Sequence, residues 1–487
     1  MSMQTDPAPG PASASQVAAL SARDRQVILL LLVSAFTVIL NETIMGVALP
    51  RLMGDLGVTA AAAQWLTTAF LLTMAVVIPV TGFLLQRMQT RPVFALAMGL
   101  FSLGTALCAL APGLGMLIFG RIVQACGTAV MMPLLMTTVM TLVPPESRGR
   151  TMGQISIVIS VAPAIGPTIS GIILNLLDWR WMFWLVLPIG LGALGLGQAR
   201  LQNVAELRPA PLDLVSVPLS AAGFGGLVYG LSAIGEGHGA GGILPALASL
   251  GIGALALAAF VRRQLRLGPL GRALLDLRTF RVRVFRVAVA MMAFCMVTLF
   301  GMIILLPIYM QVVLKMEPVA AGLVLLPGGL IMGLLAPGVG RAYDRAGARR
   351  LVIPGSVFAA AGLWSMAALG AGSAVWQVLG AHVLLSIGLA LLFTPLFTAA
   401  LGSLPKELYS HGSAILGTAQ QVAGAAGIAL FVSVMSLRSA GLAAGGADPE
   451  AATAAGVRAG FVTGGIVAVA MIATSFLMRR PRAADGV

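Results

Sequence analysis

GRAYDRAGARRLVI, residues 340–353, and GFLLQRMQTRPVFAL, residues 82–96, are two copies of one short loop. At an offset of 258 residues Gly82 meets Gly340, Gln86 meets Asp344, Arg87 meets Arg345, Gln89 meets Gly347 and Arg91 meets Arg349. Each copy follows a long apolar run and precedes another. The two halves of the chain are therefore parallel repeats. Parallel repeats related by an axis along the membrane normal are a transporter architecture, with the substrate site between the halves near the bilayer midplane.

Outward from these loops, the chain is 59% hydrophobic and 9% charged, whereas a soluble domain carries roughly 25% charge. A helix crosses the hydrocarbon core with about 20 apolar residues. Runs of that size fall near 27–49, 62–85, 93–111, 114–142, 152–176, 181–199, 214–234, 241–261, 287–313, 318–340, 351–371, 374–400, 411–436 and 457–478. The reading is an all-α polytopic membrane protein. Its 59 Gly and 27 Pro residues suit lipid, where small residues let helices approach and neighbours re-satisfy freed backbone groups.

Fourteen spans put both termini on one side. Sorted that way, 24 of the 30 Lys and Arg residues share the side of the termini, five lie opposite (Arg51, Arg180, Lys315, Arg438 and Arg458), and Arg121 is inside a span. That excess assigns the basic loops and both termini to the cytoplasm of a cell membrane. The net charge of +14 is thus an orientation signal and not a nucleic-acid face. The expected organisation is a cytoplasmic tail (1–25), a six-helix bundle (26–200), an inserted two-helix hairpin with its linker (201–262), an amphipathic segment (263–286), a second six-helix bundle (287–478) and a short tail (479–487). Small residues precede the first apolar run, the reverse of a cleavable leader. Within the amphipathic segment, RALLDLRTFRVRVF (272–285) alternates basic and apolar residues. It fits an interfacial stretch on anionic headgroups or a solvated loop.

Sixteen acidic residues are spread over the chain, and only Glu42 lies well inside a long apolar run, VILLLLVSAFTVILNETIMGVAL (27–49). An ionisable group at membrane depth is a functional-site candidate. Arg121 is its basic counterpart. At 1.5 Å per residue, Glu42 lies about 22 Å from the inner edge of a ~30 Å core and Arg121 about 10 Å from the outer edge, so both fall in the outer third. Withdrawal from water favours the neutral acid, and a neighbouring guanidinium favours the charged one. A balance of the two makes Glu42 a protonation switch tuned by Arg121; a structural ion pair is the alternative. Asn41 and Gln124 flank the charges as candidate cavity residues. Gln311, Gln420, Gln421 and His382 are open to cavity lining or plain helix contact. Trp65, Trp179, Trp181 and Trp184, near outer span ends, read as an aromatic belt. Cys108, Cys126 and Cys295 all fall in apolar runs, with no disulfide or metal spacing.

Four motifs then point to a family. The loop G-x-x-x-D-R-x-G-x-R, complete in 340–349, resembles the signature loop of the major facilitator superfamily. RIVQACGTAVMMP (121–133) is similar to its fourth-span motif, and APAIGPTISGIIL (162–174) to its fifth-span antiporter motif, keeping Gly166, Pro167 and Gly171 beside Pro163. LNETIMGVALP (40–50) resembles the first-span motif of fourteen-span drug:proton antiporters, although Asn41 stands at the acidic position and Glu42 follows it. Gln86 replaces the Asp of the first signature loop. The resemblance implies a monomeric, proton-coupled exporter of drugs or amphipathic cations, not an enzyme, working without cofactor or ATP. The alternative with the same fold is an exporter or flippase of an endogenous lipid, siderophore or secondary metabolite. GLGALG (190–195) matches a dinucleotide pattern, but it lies inside a span with no strand-turn-helix context. No phosphate-binding lysine loop, nucleophile triad or metal cluster is present in the sequence.

Overall fold

A computed structural model of the chain describes residues 21–58, 60–204, 213–235, 243–370 and 372–478. Most of the expected N-terminal tail and all of the C-terminal one lie outside those residues. Within them the molecule is helical, with no strand. Fourteen helices are long and apolar enough to cross a membrane. They are α1 (Ala22–Leu56), α2 (Ala60–Arg87), α3 (Thr90–Ala109), α4 (Leu114–Leu142), α5 (Arg148–Leu176), α6 (Trp181–Arg200), α7 (Ser216–Gly235), α8 (Ile243–Leu267), α9 (Arg283–Ile308), α10 (Pro318–Ala346), α11 (Arg349–Ala367), α12 (Val375–Gly402), α13 (Tyr409–Ala444) and α14 (Pro449–Ser475). Each takes in most of one of the fourteen apolar runs, and α2, α4, α6, α9, α10, α11 and α12 carry internal prolines. Lipid cannot solvate a broken backbone, so the chain stays helical where water would let it fray.

The repeat is visible in the packing. A Cβ at Gly104 would strike the backbone of Gln124 where α3 crosses α4, and 258 residues later a Cβ at Gly362 would strike the backbone of Leu385 where α11 crosses α12. Glycine at these crossings lets two backbones touch, the usual device for joining helices in lipid. The first half (α1–α6) and the second (α9–α14) meet along two seams, α2 against α13 and α5 against α10. These are one contact made twice, because α2 corresponds to α10 and α5 to α13.

The hairpin breaks the symmetry. Helix α7 packs on both α2 and α13, so it lies over one seam only, and α8 packs outside α7. Ala75, Val228 and Ala425 form the apolar junction of the three helices, and Trp65 stacks on Tyr229 at 6.0 Å. Within the hairpin, Gly226 faces Gly253 and the Ser249 hydroxyl donates to the Gly226 carbonyl at 3.0 Å. The basic end is tied by polar groups. Arg263 donates two 2.6 Å bonds to Asp213, and Gln264 donates to Ser216 at 2.6 Å while accepting the Leu274 N–H at 2.7 Å.

That last contact revises the reading of residues 272–285. Leu274, Leu275 and Phe285 are buried in protein, whereas Arg272, Arg278, Arg281 and Arg283 are exposed. The apolar face of the segment is covered by the helix ends, which leaves its cations outward. Asp276 shows the same folding-back. Burial raises its pKa, but bonds from the Arg278 side chain and N–H, with His411 and Arg278 charges nearby, bring the net shift down.

Candidate functional site

At the crossing of α1 and α4, Arg121 is 1% exposed, the most deeply enclosed charge in the described interior. A guanidinium has five donors in a rigid fork and cannot shed its charge at ordinary pH, so its surroundings must supply acceptors. They do. Nη1 donates to Asn41 Oδ1 at 3.2 Å and to Gln124 Oε1 at 2.6 Å, and Nε reaches the Leu66 carbonyl at 3.5 Å. Phe70 lies under the guanidinium, 4.0 Å from its carbon to the ring centroid, a cation–π contact that strengthens away from water. Gln124 passes the network on, donating to Thr105 Oγ1 at 2.8 Å. Asn41 and Gln124 are both buried.

Glu42 follows Asn41 on α1 and is half-buried. Its carboxylate is near enough to Arg121 for the two charges to interact, yet among the described residues it makes no ion pair or hydrogen bond. Sequence depth permitted a direct Glu42–Arg121 contact. In this state the guanidinium is held by amides instead, because successive helical residues point about 100° apart and it is Asn41 that faces α4.

The fifth helix grips the same spot. A Cβ on Gly166 would collide with the Thr43 side chain, one residue beyond Glu42. Thr43 is itself turned in, donating to the Leu40 carbonyl at 2.9 Å. Gly166 therefore permits close packing, as expected. Gly171 does not, since a Cβ there would meet nothing within 4 Å. Pro163 is half-buried, and the Pro167 side chain lies outside what the structure describes.

The second-half candidates stay apart from this network. Gln311 is exposed, in a π-helical turn (Tyr309–Val313) at the end of α9. Gln420 donates to the Leu416 carbonyl of its own helix at 3.2 Å, and Gln421 beside it is half-buried. His382 Nε2 lies 3.2 Å from the Leu325 carbonyl, joining α12 to α10. Trp179 departs from the aromatic belt. It is 1% exposed, edge-on to Phe183 and covered by Arg180 at 4.2 Å, whereas Trp65, Trp181 and Trp184 are exposed as expected. Thr105, Phe70 and the Leu66 carbonyl went unnoticed in sequence, being ordinary residues for an apolar helix.

The signature loops close the basic face. Asp344 accepts the Gly149 N–H at 2.7 Å and the Arg150 N–H at 2.8 Å, capping α5 from the opposite half. Across the other seam Gln86 makes one side-chain bond, 3.0 Å to Ser410 Oγ. Gly340 lies against Gly149, and Gly82 against Ser410 and Ala414. Gly347 ends α10 with a φ of +77° that glycine adopts without strain. Arg91 reaches Gln198 at 3.3 Å; Arg87 lies over Phe83 at 5.9 Å; Arg345 and Arg349 are exposed. Thr137 bonds Ser413 at 3.0 Å and Thr394 donates to Ser156 at 2.7 Å, both in the same half of the membrane. Each of these inter-half bonds lies toward the basic face.

The family model of the Major Facilitator Superfamily matches residues 31–428. The chain belongs to the major facilitator superfamily. It is 40% identical over 456 residues to the lincomycin resistance protein LmrB of Bacillus subtilis (strain 168), covering 92% of this chain and 95% of that protein. A multidrug resistance protein B homolog of Mycobacterium tuberculosis is 30% identical over 399 residues, 80% of this chain and 72% of that one. Among solved structures, the human organic anion transporter MFSD10 (TETRAN) superposes with a TM-score of 0.66 at 15% identity, over 94% of this chain and 99% of that one. The proton:xylose symporter XylE superposes with a TM-score of 0.61 at 17% identity, over 93% of this chain and 97% of that chain. These two share the fold. The chain is a multi-pass membrane transporter.

Proposed function

We propose that this transporter is a proton-coupled antiporter that exports drugs or amphipathic, cationic small molecules across the cytoplasmic membrane by alternating access. The observation that carries the reading is the Glu42 carboxylate, unbonded and half-buried beside a fully enclosed Arg121. The names of the LmrB and multidrug-resistance relatives support drugs as the cargo class. With 24 of the 30 basic residues assigned to one face by the count of spans, that face and both termini are cytoplasmic in this reading, and the conformation described above is closed to the cell interior.

The cycle follows from charge. Ionised, Glu42 attracts a cationic or amphipathic molecule to a low-dielectric site. Protonated, it loses that attraction and releases the molecule outward. Arg121, fixed by Asn41 and Gln124, keeps a constant positive charge that stops the carboxylate from remaining protonated throughout the cycle. Gly166 and Thr43 pass the change to α5, which carries the seam with α10. The driving force suffices. Exchange of one proton for a neutral amphipathic molecule moves one net charge, worth ~2.3 kcal/mol per 100 mV. Since about 1.36 kcal/mol is tenfold, it supports roughly a 50-fold gradient before any pH difference is added. Exchange for a monovalent cation moves no net charge and draws on the pH difference.

The test is uptake by inverted vesicles under an imposed pH gradient, with a panel of antibiotics and a protonophore. Wild type should accumulate cargo only while the gradient lasts, and Glu42→Gln, which mimics the protonated acid, should bind cationic cargo more weakly and lose gradient-driven uptake. Undiminished uptake by Glu42→Gln, or uptake indifferent to the protonophore, overturns the reading.

A further inference from the structure

We propose that a groove on the outer face of the α7–α8 hairpin is a binding site for one anionic phospholipid. The groove has a volume of about 700 Å³ and is lined by Leu227 of α7 with Ala254, Leu257, Ala258, Val261 and Leu265 of α8. Two further lining residues are charged, Arg262 and Arg266. A volume of this size lies in the range that holds a drug-sized ligand.

The pattern along α8 gives the groove two ends. Residues 254, 258, 262 and 266 recur every four positions, so they form one stripe down the helix. Ala254 and Ala258 leave the stripe hollow toward the middle of the membrane; the two arginines end it at the basic face, about 6 Å apart along the axis. An acyl chain fits the hollow part, and a phosphate fits between guanidiniums stacked one turn apart. Arginine suits that task because its planar fork matches phosphate oxygens.

The neighbouring arginine shows that these two are not simply part of the hairpin's anchoring. Arg263 is neutralised by two bonds to Asp213. Arg262 and Arg266 are exposed, no acidic residue lines the groove, and no carboxylate among the described residues pairs with either. Two uncompensated cations beside an apolar trough call for an anion with a hydrocarbon tail, and the membrane surface supplies it. A zwitterionic lipid carries its own ammonium next to the phosphate and gains less.

The experiment is native mass spectrometry of the full chain, delipidated and then offered phosphatidylglycerol or phosphatidylcholine. Wild type should retain phosphatidylglycerol at least tenfold more than phosphatidylcholine. Arg262→Gln with Arg266→Gln should remove the preference. Ala258→Trp keeps both charges but fills the trough, and should also lose the lipid. All three residues face outward from the fold, and monodisperse, cooperatively melting variants confirm that loss is not misfolding. Equal retention of both lipids by wild type, or an unchanged preference in the double variant, overturns the proposal. So does displacement of phosphatidylglycerol by millimolar inorganic phosphate, which would make the site one for free phosphate.

Discussion

Asp344, at the end of α10, accepts the backbone N–H of Gly149 at 2.7 Å across the boundary between the two halves. An anion at a helix N-terminus satisfies orphan donors and meets the positive end of the helix dipole. Here helix and anion belong to different bundles, so the cap exists only while the basic face is shut. The pseudo-symmetric place holds Gln86, which makes one neutral bond to Ser410. One latch is charged and double, the other neutral and single.

Asp344→Ala removes the charged cap. A cap of this kind is worth about 1 kcal/mol, so the ratio of closed to open molecules should fall about fivefold. The measurement is maleimide labelling of a cysteine placed on the basic face of α5, whose rate should rise by that factor. Gln86→Asp should shift it the opposite way. An unchanged rate in both variants would remove the latch from the conformational equilibrium.

Arg121 separates charge from shape. Arg121→Ala strands the side-chain oxygens of Asn41 and Gln124, each costing roughly 1–3 kcal/mol when buried and unpaired. That variant should melt at a clearly lower temperature. Arg121→Lys keeps the charge but loses the fork that spans two amides; it should fold, transport at least tenfold more slowly and show a displaced pH optimum. A lysine variant with wild-type rate and pH profile would assign Arg121 to packing alone.

Two glycines of the same motif should behave differently. Gly166→Ala drives a methyl into Thr43 and should slow transport tenfold or more, with part of the rate recovered when Thr43→Ala is added. Gly171→Ala meets open space and should remain within twofold of wild type. Equal defects at both positions would point to backbone flexibility in α5 as the controlling property.

The hairpin anchor has its own pH signature. Bonds from Arg263, opposed by burial and aided by Ser216, hold Asp213 well below the usual carboxylate range. A depressed carboxylate contributes stability that is complete above its unfolded pKa and fades as pH falls toward the folded value. Melting temperature should therefore differ between wild type and Asp213→Asn by a constant amount from pH 6 to 8. The gap should narrow only below about pH 4. A gap that closes near neutrality would exclude Asp213 as its source.

Much of this was legible before any coordinates. The fourteen helices follow from run length, because hydrocarbon admits few alternatives to a helix. Glu42 and Arg121 were found as isolated charges, and their similar depth from counting residues. What stayed hidden is angular. Run length does not say which way residue 41 faces relative to 42, so the bond from Arg121 to Asn41 was beyond reach. Gly166 and Gly171 look alike in a motif, and only the position of α1 separates them. Where the hairpin would lie was equally closed, since α7 is apolar on every side and names no preferred neighbour.

That placement of α7 makes the two flanks of the molecule unequal. A solute dissolved in the leaflet meets a wall three helices deep at α2 and α13, and a bare joint between α5 and α10 on the other flank. If cargo slips in from the lipid and not from water, it has a single doorway, and the helix bearing Gly166 is one of its doorposts.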